Sequence, residues 1–300
     1  MNTEELIKMD QEIDKEMKSG KYPVVHSDII SKMIDIQLND KILDENARIF
    51  ETYCEYLDKL EEMQKLDLKR VLKLFKGADI IDNQKLEKED SFLISVYMQI
   101  QKEHAIDYIL KSTNLDTDSL LEAHGMLLDG TSSSKKFDNF HYRMNNRRVV
   151  GAWVNGVRHI DYFPIPYDEI DTAMNEFLDY YQENETREEY LFIKPFLIHG
   201  MLASLQVFDD GNTRFGRLLQ HVNLFHQTNS ILNKDFSNPT IYITRMYYQY
   251  YQKYRELIKE LVTDCNNDVL IEWGIFNLRR LEEQIWNNSS NVEKVLRKKL

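Results

Sequence analysis

Hydrophobic residues recur along most of the chain at intervals of about three to four positions, the spacing of one face of an α-helix. Polar and charged residues fill the positions between them. The pattern predicts helices over 3–18, from near Ser27, and over 44–75, 90–111, 117–128, 167–182, 187–208, 212–229, 241–263 and about 268–286. Lys76-Gly77 is predicted to break the third helix, and Asp116 and Asp118 to cap the fifth.

One segment departs from the helical pattern. In RRVVGAWVNGVRHIDYFP, residues that favour strands stand on both sides of Asn155-Gly156. Asn-Gly between two such runs indicates a β-hairpin, because a two-residue type I′ turn needs positive φ at both positions. We therefore predict strands near 147–154 and 157–163, ended by Pro164.

The chain shows no Pro/Gly/Ser-rich linker, which favours one continuous helical body over two independent domains. Within it we distinguish an N-terminal helical subdomain over 1–105, a second domain over 106–285 and a charged C-terminal tail over 286–300. The predicted fold class is all-α, a helical bundle with one small β-hairpin.

Composition supports this class and limits the function. The 300 residues include 42% hydrophobic residues but only 10 Gly and 5 Pro, as expected of a mostly helical protein with a sizeable core. The net charge of -12 argues against direct nucleic-acid binding, which needs clustered Lys and Arg. Cys54 and Cys265 are predicted to be reduced, buried thiols and not part of a disulfide framework. The charged N-terminal segment and the lack of a long apolar run predict a cytoplasmic protein without membrane attachment.

A short polar elbow, VFDDGNTRFGR, separates the apolar runs of 187–208 and 212–229. A tight turn followed by a helix presents free backbone N–H groups and the positive end of the helix dipole to a ligand. Gly211 permits the sharp turn, and Asn212 is expected to cap the second helix or to adopt the left-handed conformation.

Two arginines make the elbow a candidate anion site. Arg214 and Arg217 stand three residues apart and lie on one face of the second helix. Guanidinium groups beside free N–H groups are typical of a phosphate site, and Asp210 next to phosphates is a candidate Mg²⁺ ligand. The alternative is an ordinary interhelical loop, with a capping Asn212 and with both arginines paired to Asp209 and Asp210. Spacing alone does not decide between them.

QVFDDGNTRFGR resembles the loop His-Pro-Phe-x-Asp/Glu-Gly-Asn-Gly-Arg-x-x-Arg of the Fic/Doc family. The matching residues are Phe208, Asp210, Gly211, Asn212, Arg214 and Arg217, and the departures are Gln206 for His, Val207 for Pro and Thr213 for Gly. His199 also stands where many members carry a second His, and the hairpin over 147–163 resembles the family's flap. The resemblance extends over roughly 110–285.

The resemblance implies a Fic-like helical bundle over 106–285, with the motif loop at 206–217. Most members transfer AMP, or another phosphate-containing group, from ATP or a related nucleotide to a Ser, Thr or Tyr hydroxyl of a target protein. Mg²⁺ is implied at Asp210. The nucleotide and its phosphates are implied at Gly211, Asn212, Thr213, Arg214 and Arg217. The target protein is expected to add a strand to the flap, at Val149, Val150 and Trp153.

Two departures change the expected chemistry. Gln206 stands where the family places its general base, and a carboxamide cannot take up a proton near pH 7. Because a general base supplies about 10²–10⁴-fold in rate, we expect weak or altered transfer. The alternative is a catalytically impaired regulatory or interaction protein that binds a nucleotide or anion. Thr213 is expected to be unfavourable if its position requires positive φ or close approach to a phosphate.

Related proteins carry an inhibitory helix with the pattern Ser/Thr-x-x-x-Glu-Gly/Asn. The segment SKMIDI offers Ser31 and Asp35, although Asp is one methylene shorter than Glu and Ile36 replaces Gly or Asn. An exposed Asp on an amphipathic helix is the alternative, and we favour it slightly.

The remaining candidates are histidines and tyrosines. His199 is expected in the core, His221 and His226 in structural or surface positions, and His159 on the flap as a less favoured substitute base. The tyrosines between Tyr247 and Tyr254 either border a nucleobase or partner or pack in the core, and we favour the core.

Overall fold

The computed structural model describes residues 3–86, 92–112, 114–131, 136–137, 139–154, 157–236, 241 and 243–297. In this part of the chain, α-helices are interrupted by one antiparallel pair of strands, so the predicted all-α class is confirmed. None of the described helices combines the length and the apolar character needed to cross a bilayer.

The described part of the N-terminal third contains four helices, named α1 (Thr3–Lys18), α2 (Ile29–Ile34), α3 (Asp40–Leu86) and α4 (Phe92–Lys111). Helix α3 continues through Lys76-Gly77, so the predicted break is wrong. A glycine inside a helix costs about 1 kcal/mol, and the packing of α3 against other helices offsets this cost. The predicted division between residues 105 and 106 falls inside α4 and stays a prediction.

Helix α5 (Thr117–Leu128) begins as predicted at Asp116, whose carboxylate accepts a hydrogen bond of 2.8 Å from the Ser119 N–H. Asp118 lies in the first turn and is not the cap. The chain leaves the helix through Gly130, whose φ of 69° is accessible to glycine at little cost.

The hairpin consists of β1 (Val150–Val154) and β2 (Val157–Tyr162). Val154 pairs with Val157, and the register shifts by a bulge between Val150 and Gly151. The strands confirm the predicted hairpin, while its turn, Asn155-Gly156, lies outside the described residues.

The second half continues with α6 (Ile170–Gln182), α7 (Ile193–Leu205), α8 (Asn212–Ile231), α9 (Thr244–Gln249), α10 (Tyr251–Thr263) and α11 (Asn267–Arg297). Short 3₁₀ turns at Tyr167–Glu169 and Glu188–Tyr190 precede α6 and α7. The single helix predicted over 241–263 is divided at Tyr250 into α9 and α10. The last helix extends past residue 286, so most of the predicted tail is helical.

The core is built around α7, in which every residue is buried. Helix α8 packs along it, and α10 and α11 cover further faces. The Trp273 indole of α11 donates a hydrogen bond of 3.0 Å to the Phe196 carbonyl, and Gly200 leaves room for the same indole. Because α7 is enclosed by packing, the residue at its C-terminal end has a well-defined position.

Candidate functional site

The elbow between α7 and α8 is made by two left-handed residues. Gln206 ends α7 at φ 53° and ψ 53°, and Gly211 precedes α8 at φ 77° and ψ 3°. Left-handed backbone is natural for glycine but costs energy for a residue with a Cβ, and such strain concentrates at functional sites. The two positions therefore set the direction of the loop between the helices.

Asn212 holds this loop together. Its side-chain amide donates to the Phe208 carbonyl at 2.8 Å and accepts from the Phe208 N–H at 2.8 Å. Asn212 is the first residue of α8, while Gly211 occupies the cap position. The prediction that Asn212 caps the helix or is left-handed is thus wrong. Gly211 takes that conformation without a Cβ clash, which leaves the Asn212 amide free to bridge the turn.

Thr213 lies within α8 and is partly exposed. Among the described non-glycine residues, positive φ occurs at Gln206 and Asn233 alone. Thr213 therefore has ordinary helical backbone, and the penalty expected from positive φ at this position does not arise.

His124 of α5 packs against the loop between α7 and α8. Its ring stacks on Phe208, with a centroid distance of 3.6 Å and an interplanar angle of 7°. The two ring nitrogens lie 2.7 Å from the Asn139 carbonyl oxygen and 3.0 Å from the Asp210 carbonyl oxygen. Burial lowers the pKa of His124 to about 4, so the ring is neutral at pH 7. No local pattern in the sequence marks His124, because its partners Asn139 and Asp210 are distant in the chain.

The left-handed Gly211 allows a direct test of the loop. We expect Gly211→Ala to lower the free energy of unfolding by about 1–3 kcal/mol, because a Cβ there is strained and overpacks the site. That Cβ would lie 2.8 Å from the Leu128 side chain and 3.2 Å from the His124 ring. Urea unfolding measures the change.

Gly77 of α3 provides the matched control for this substitution. An added Cβ at Gly77 meets nothing within 4 Å. Gly77→Ala should therefore raise the free energy of unfolding by about 0.5–1 kcal/mol. Equal effects of both substitutions would contradict the role of the left-handed turn.

Gln206 is only 4% exposed, and its side-chain nitrogen and oxygen each make one hydrogen bond. Its amide N–H donates to the Ala203 carbonyl at 2.7 Å, and its amide oxygen accepts from Arg148 Nε at 2.9 Å. The Gln206 carbonyl oxygen accepts from Arg143 Nε at 2.9 Å. Gln206 thus connects two arginines to the end of α7, Arg148 through its side-chain amide and Arg143 through its main-chain carbonyl. The amide has no proton-accepting role at neutral pH.

Both arginines precede β1 in the chain. Arg143 is buried, and burial together with the neighbouring charge of Arg148 lowers its pKa to about 10. Arg148 is partly buried, and one of its terminal N–H groups donates to the Asp209 carbonyl. They lie 63 and 58 residues before Gln206, a separation that helical spacing and short motifs do not reveal.

A cavity of about 280 Å³ opens beside Gln206. The described residues that line it come from the elbow, the flap and α10: Arg148, Val149, Val150, Gly151, Asp161, Tyr162, Ala203, Gln206, Thr213, Arg217, Tyr251, Tyr254, Arg255 and Ile258. Three arginines face one carboxylate in this set, although the whole chain carries a net charge of -12. The cavity is therefore suited to an anionic ligand.

The residues around the α10 side of the cavity show where two of the candidates from the sequence lie, His199 and the run of tyrosines. Tyr254 contacts buried His199 at 3.0 Å between the hydroxyl and Nε2, and burial lowers the pKa of His199 to about 3. His199 is thus a core residue, as predicted. Tyr247 and Tyr254 are buried, which agrees with the favoured packing role, whereas the ring of Tyr251 is 45% exposed and borders the cavity.

Asp210 is compatible with a Mg²⁺ ion that arrives with phosphates. One carboxylate oxygen accepts a hydrogen bond of 2.8 Å from the Gly211 N–H, and the residue is partly exposed. Among the described residues no three His, Cys, Asp or Glu side chains converge as a metal site. Because Mg²⁺ is commonly bound by one or two carboxylates together with substrate phosphates, a single carboxylate fits this mode of binding.

Not all predicted site residues reach the cavity. Gln206, Thr213, Arg217, Val149 and Val150 line it, whereas Gly211, Asn212, Asp210 and Arg214 lie outside its lining. Trp153 belongs to β1, opposite Arg158 in the register.

The predicted inhibitory residues and the other histidines also lie away from the cavity. Ser31 is exposed on α2, Asp35 is exposed at the end of that helix, and Gln37 already contacts Asn267 at the start of α11. The structure therefore does not bring Ser31 and Asp35 to the cavity. His159 is exposed on β2, His221 is buried in α8, and neither lines the cavity.

Comparison with known proteins agrees with the resemblance. Residues 114–224 match the Fic/DOC family. A sequence search of curated proteins gives no match. The fold is similar to a Fic family protein from Desulfovibrio desulfuricans G20, with a TM-score of 0.62 and 14% identity over 85% of this chain and 76% of that one.

Two further solved structures are similar. One is a Fic domain containing signaling protein from Bacteroides thetaiotaomicron VPI-5482, with a TM-score of 0.55 and 14% identity over 80% of this chain and 95% of that one. The other is Fic-1 from C. elegans, with a TM-score of 0.54 and 13% identity over 85% and 74%. At these identities the structural likeness shows the fold alone.

Proposed function

Residues 114–224 of this chain form a Fic/DOC domain, and from this premise we propose that the protein binds a nucleoside phosphate beside Gln206 and is impaired in transferring it. Members of the family generally transfer a nucleotide monophosphate to proteins. The observation that carries the proposal is the cavity itself, which is lined by three arginines and by Gln206, whose amide oxygen and nitrogen each make a hydrogen bond.

The binding part of the proposal rests on charge. Arg148, Arg217 and Arg255 line the cavity, and Asp161, its single carboxylate among the described lining residues, pairs with Arg255. Three arginines against one carboxylate among the described lining residues favour a ligand with phosphate groups. Mg²⁺, held by Asp210 and by phosphate oxygens, would neutralise further charge on the ligand.

The impaired part rests on proton chemistry. Transfer to a hydroxyl requires a group that takes up its proton, and a histidine or a free carboxylate serves this role in most enzymes. No histidine is among the described lining residues, and the Asp161 carboxylate is paired. Gln206 contributes hydrogen bonds but cannot accept the proton.

Arg217→Ala tests the binding proposal. We expect wild-type protein to bind ATP or GTP with Mg²⁺ in isothermal titration calorimetry. The variant should bind at least about tenfold more weakly, because it loses charge-assisted hydrogen bonds to phosphate. Arg217→Lys keeps the charge and should fall between the two.

Arg279→Ala is the control, because Arg279 of α11 bonds Glu45 and does not line the cavity. It should bind like wild type. Absence of nucleotide binding by the wild-type protein would refute the proposal.

A second candidate function is slow nucleotidyl transfer to a protein docked on the flap. It is favoured by the position of β1, which pairs with β2 on one edge and begins at Val150, beside the cavity. A strand added to the other edge of β1 would pass the bound phosphates. The test is Mg²⁺-dependent labelling of proteins in a cell extract by radiolabelled nucleotides. Labelling that is lost in Arg214→Ala supports this candidate, and no labelling with any nucleotide excludes it.

A further inference from the structure

Arg148 is held at the cavity from two sides. Its Nε donates to the Gln206 amide oxygen at 2.9 Å, and a terminal N–H donates to the Asp209 carbonyl. A guanidinium has five N–H donors in a planar fork, so the two bonds fix its plane and leave further donors for a ligand. The residue lies among those that line the cavity.

The charge of Arg148 is not neutralised by a bonded carboxylate in the described part of the chain. Both of its acceptors are neutral oxygens, an amide and a peptide carbonyl. Its neighbour Arg147, in contrast, donates two hydrogen bonds, of 2.6 and 2.8 Å, to the Asp10 carboxylate. The carboxylates of Asp209 and Asp210 act on Arg148 through space, but burial outweighs them and lowers its pKa.

Gln206 has one orientation in which it can hold this guanidinium. Its amide N–H is bound to the Ala203 carbonyl, which directs the amide oxygen towards Arg148. The left-handed backbone at Gln206 sets where the side chain leaves α7. A carboxylate in the same place would cancel the arginine's charge, whereas the neutral amide oxygen holds it and leaves the charge available.

On the premise of the proposed nucleoside phosphate binding, we propose that Arg148 binds a phosphate group of the ligand and that Gln206 is the residue that positions Arg148. Arg217 of α8 and Arg255 of α10 line the same cavity. Several guanidinium groups around one cavity favour a ligand with more than one anionic group, which is a di- or triphosphate chain. In this proposal, the side chain of Gln206 contributes to phosphate binding through Arg148.

The test is calorimetry with Mg²⁺-ATP, inorganic pyrophosphate and adenosine. We expect Arg148→Gln to weaken ATP and pyrophosphate binding at least about tenfold, because a charge-assisted contact to phosphate is lost. Adenosine, which carries no phosphate, should bind the variant and the wild-type protein equally. Arg148→Lys should lose less affinity than Arg148→Gln. Thermal unfolding of each variant verifies that it is folded.

A double-mutant cycle isolates the role of Gln206. Gln206→Met keeps the length of the side chain but removes the acceptor, and should weaken ATP binding by about threefold to tenfold. In the Arg148→Gln background the same substitution should change nothing, because Gln206 acts through Arg148. Arg147→Gln is the matched control and should bind like wild type, since Arg147 pairs with Asp10 and does not line the cavity.

The possible outcomes distinguish phosphate binding by Arg148, positioning by Gln206 and the proposed function from one another. Wild-type affinity for pyrophosphate in Arg148→Gln overturns the inference and leaves the proposed function intact. An equal loss from Gln206→Met with and without Arg148 overturns the positioning role. If the wild-type protein binds neither ATP nor pyrophosphate, the proposed function fails and the inference fails with it.

Discussion

Gln206→His is expected to raise the rate of nucleotidyl transfer from ATP to protein hydroxyls by about 10²-fold, the lower end of what a positioned general base supplies. An imidazole at the end of α7 would stand beside the cavity and carry a lone pair. The gain is limited because the Arg148 Nε–H, which now donates to the Gln206 amide, would compete for that lone pair. The neighbouring charges of Arg143 and Arg148 would keep the new imidazole neutral near pH 7.

The measurement is the initial rate of label incorporation from α-labelled ATP into protein at saturating ATP and Mg²⁺. Gln206→Met is the matched control, because it removes the amide without adding a base. Equal rates for the two variants would show that the missing base does not limit transfer in this protein.

Mild acid is expected to destabilise the fold by about 5 kcal/mol between pH 6.5 and pH 5, from three buried histidines. Burial lowers the pKa of His199 and His221 from 6.5 to about 3, and that of His124 to about 4. Below pH 6.5 the unfolded chain takes up a proton at each site and the folded chain does not. The contribution of these histidines to the free energy of unfolding is therefore fully present above pH 6.5. It falls with decreasing pH by up to about 1.4 kcal/mol per pH unit for each histidine.

Urea unfolding curves at pH 7 and pH 5 measure this effect. In this window the acidic side chains stay largely ionised, because their ordinary pKa values are near 4. His199→Gln keeps a polar group beside Tyr254 and should remove about a third of the pH dependence. His159→Gln, at an exposed position of β2, should leave it unchanged. An unchanged slope in His199→Gln would show that His199 is not buried in its neutral form.

The parts of the site that are local in sequence were predictable. The Asp116 cap, the hairpin and the elbow each follow from residues within a few positions of one another. The packing of His199 also followed from the apolar pattern around it. Short-range conformational preferences and helical spacing decide all of these features.

The predictions that failed depend on tertiary structure. A glycine at position 77 did not end α3, because helix packing outweighs the local cost. The positive φ considered for Thr213 occurs at Gln206 and Gly211, because the geometry of the whole elbow determines which residues adopt it. The roles of Arg143 and Arg148 depend on contacts across 63 and 58 residues, for which a single sequence holds no local signal.

The packing of Trp273 against α7 has a consequence for the unit in which this protein folds. The segment that matches the Fic/DOC family ends at residue 224, before Tyr254 and Trp273, which contact His199 and Phe196 inside α7. Tyr53 of α3 also packs against this region, through Phe192. The cooperative folding unit is therefore larger than the family segment, and the elbow owes its geometry to helices from both ends of the chain.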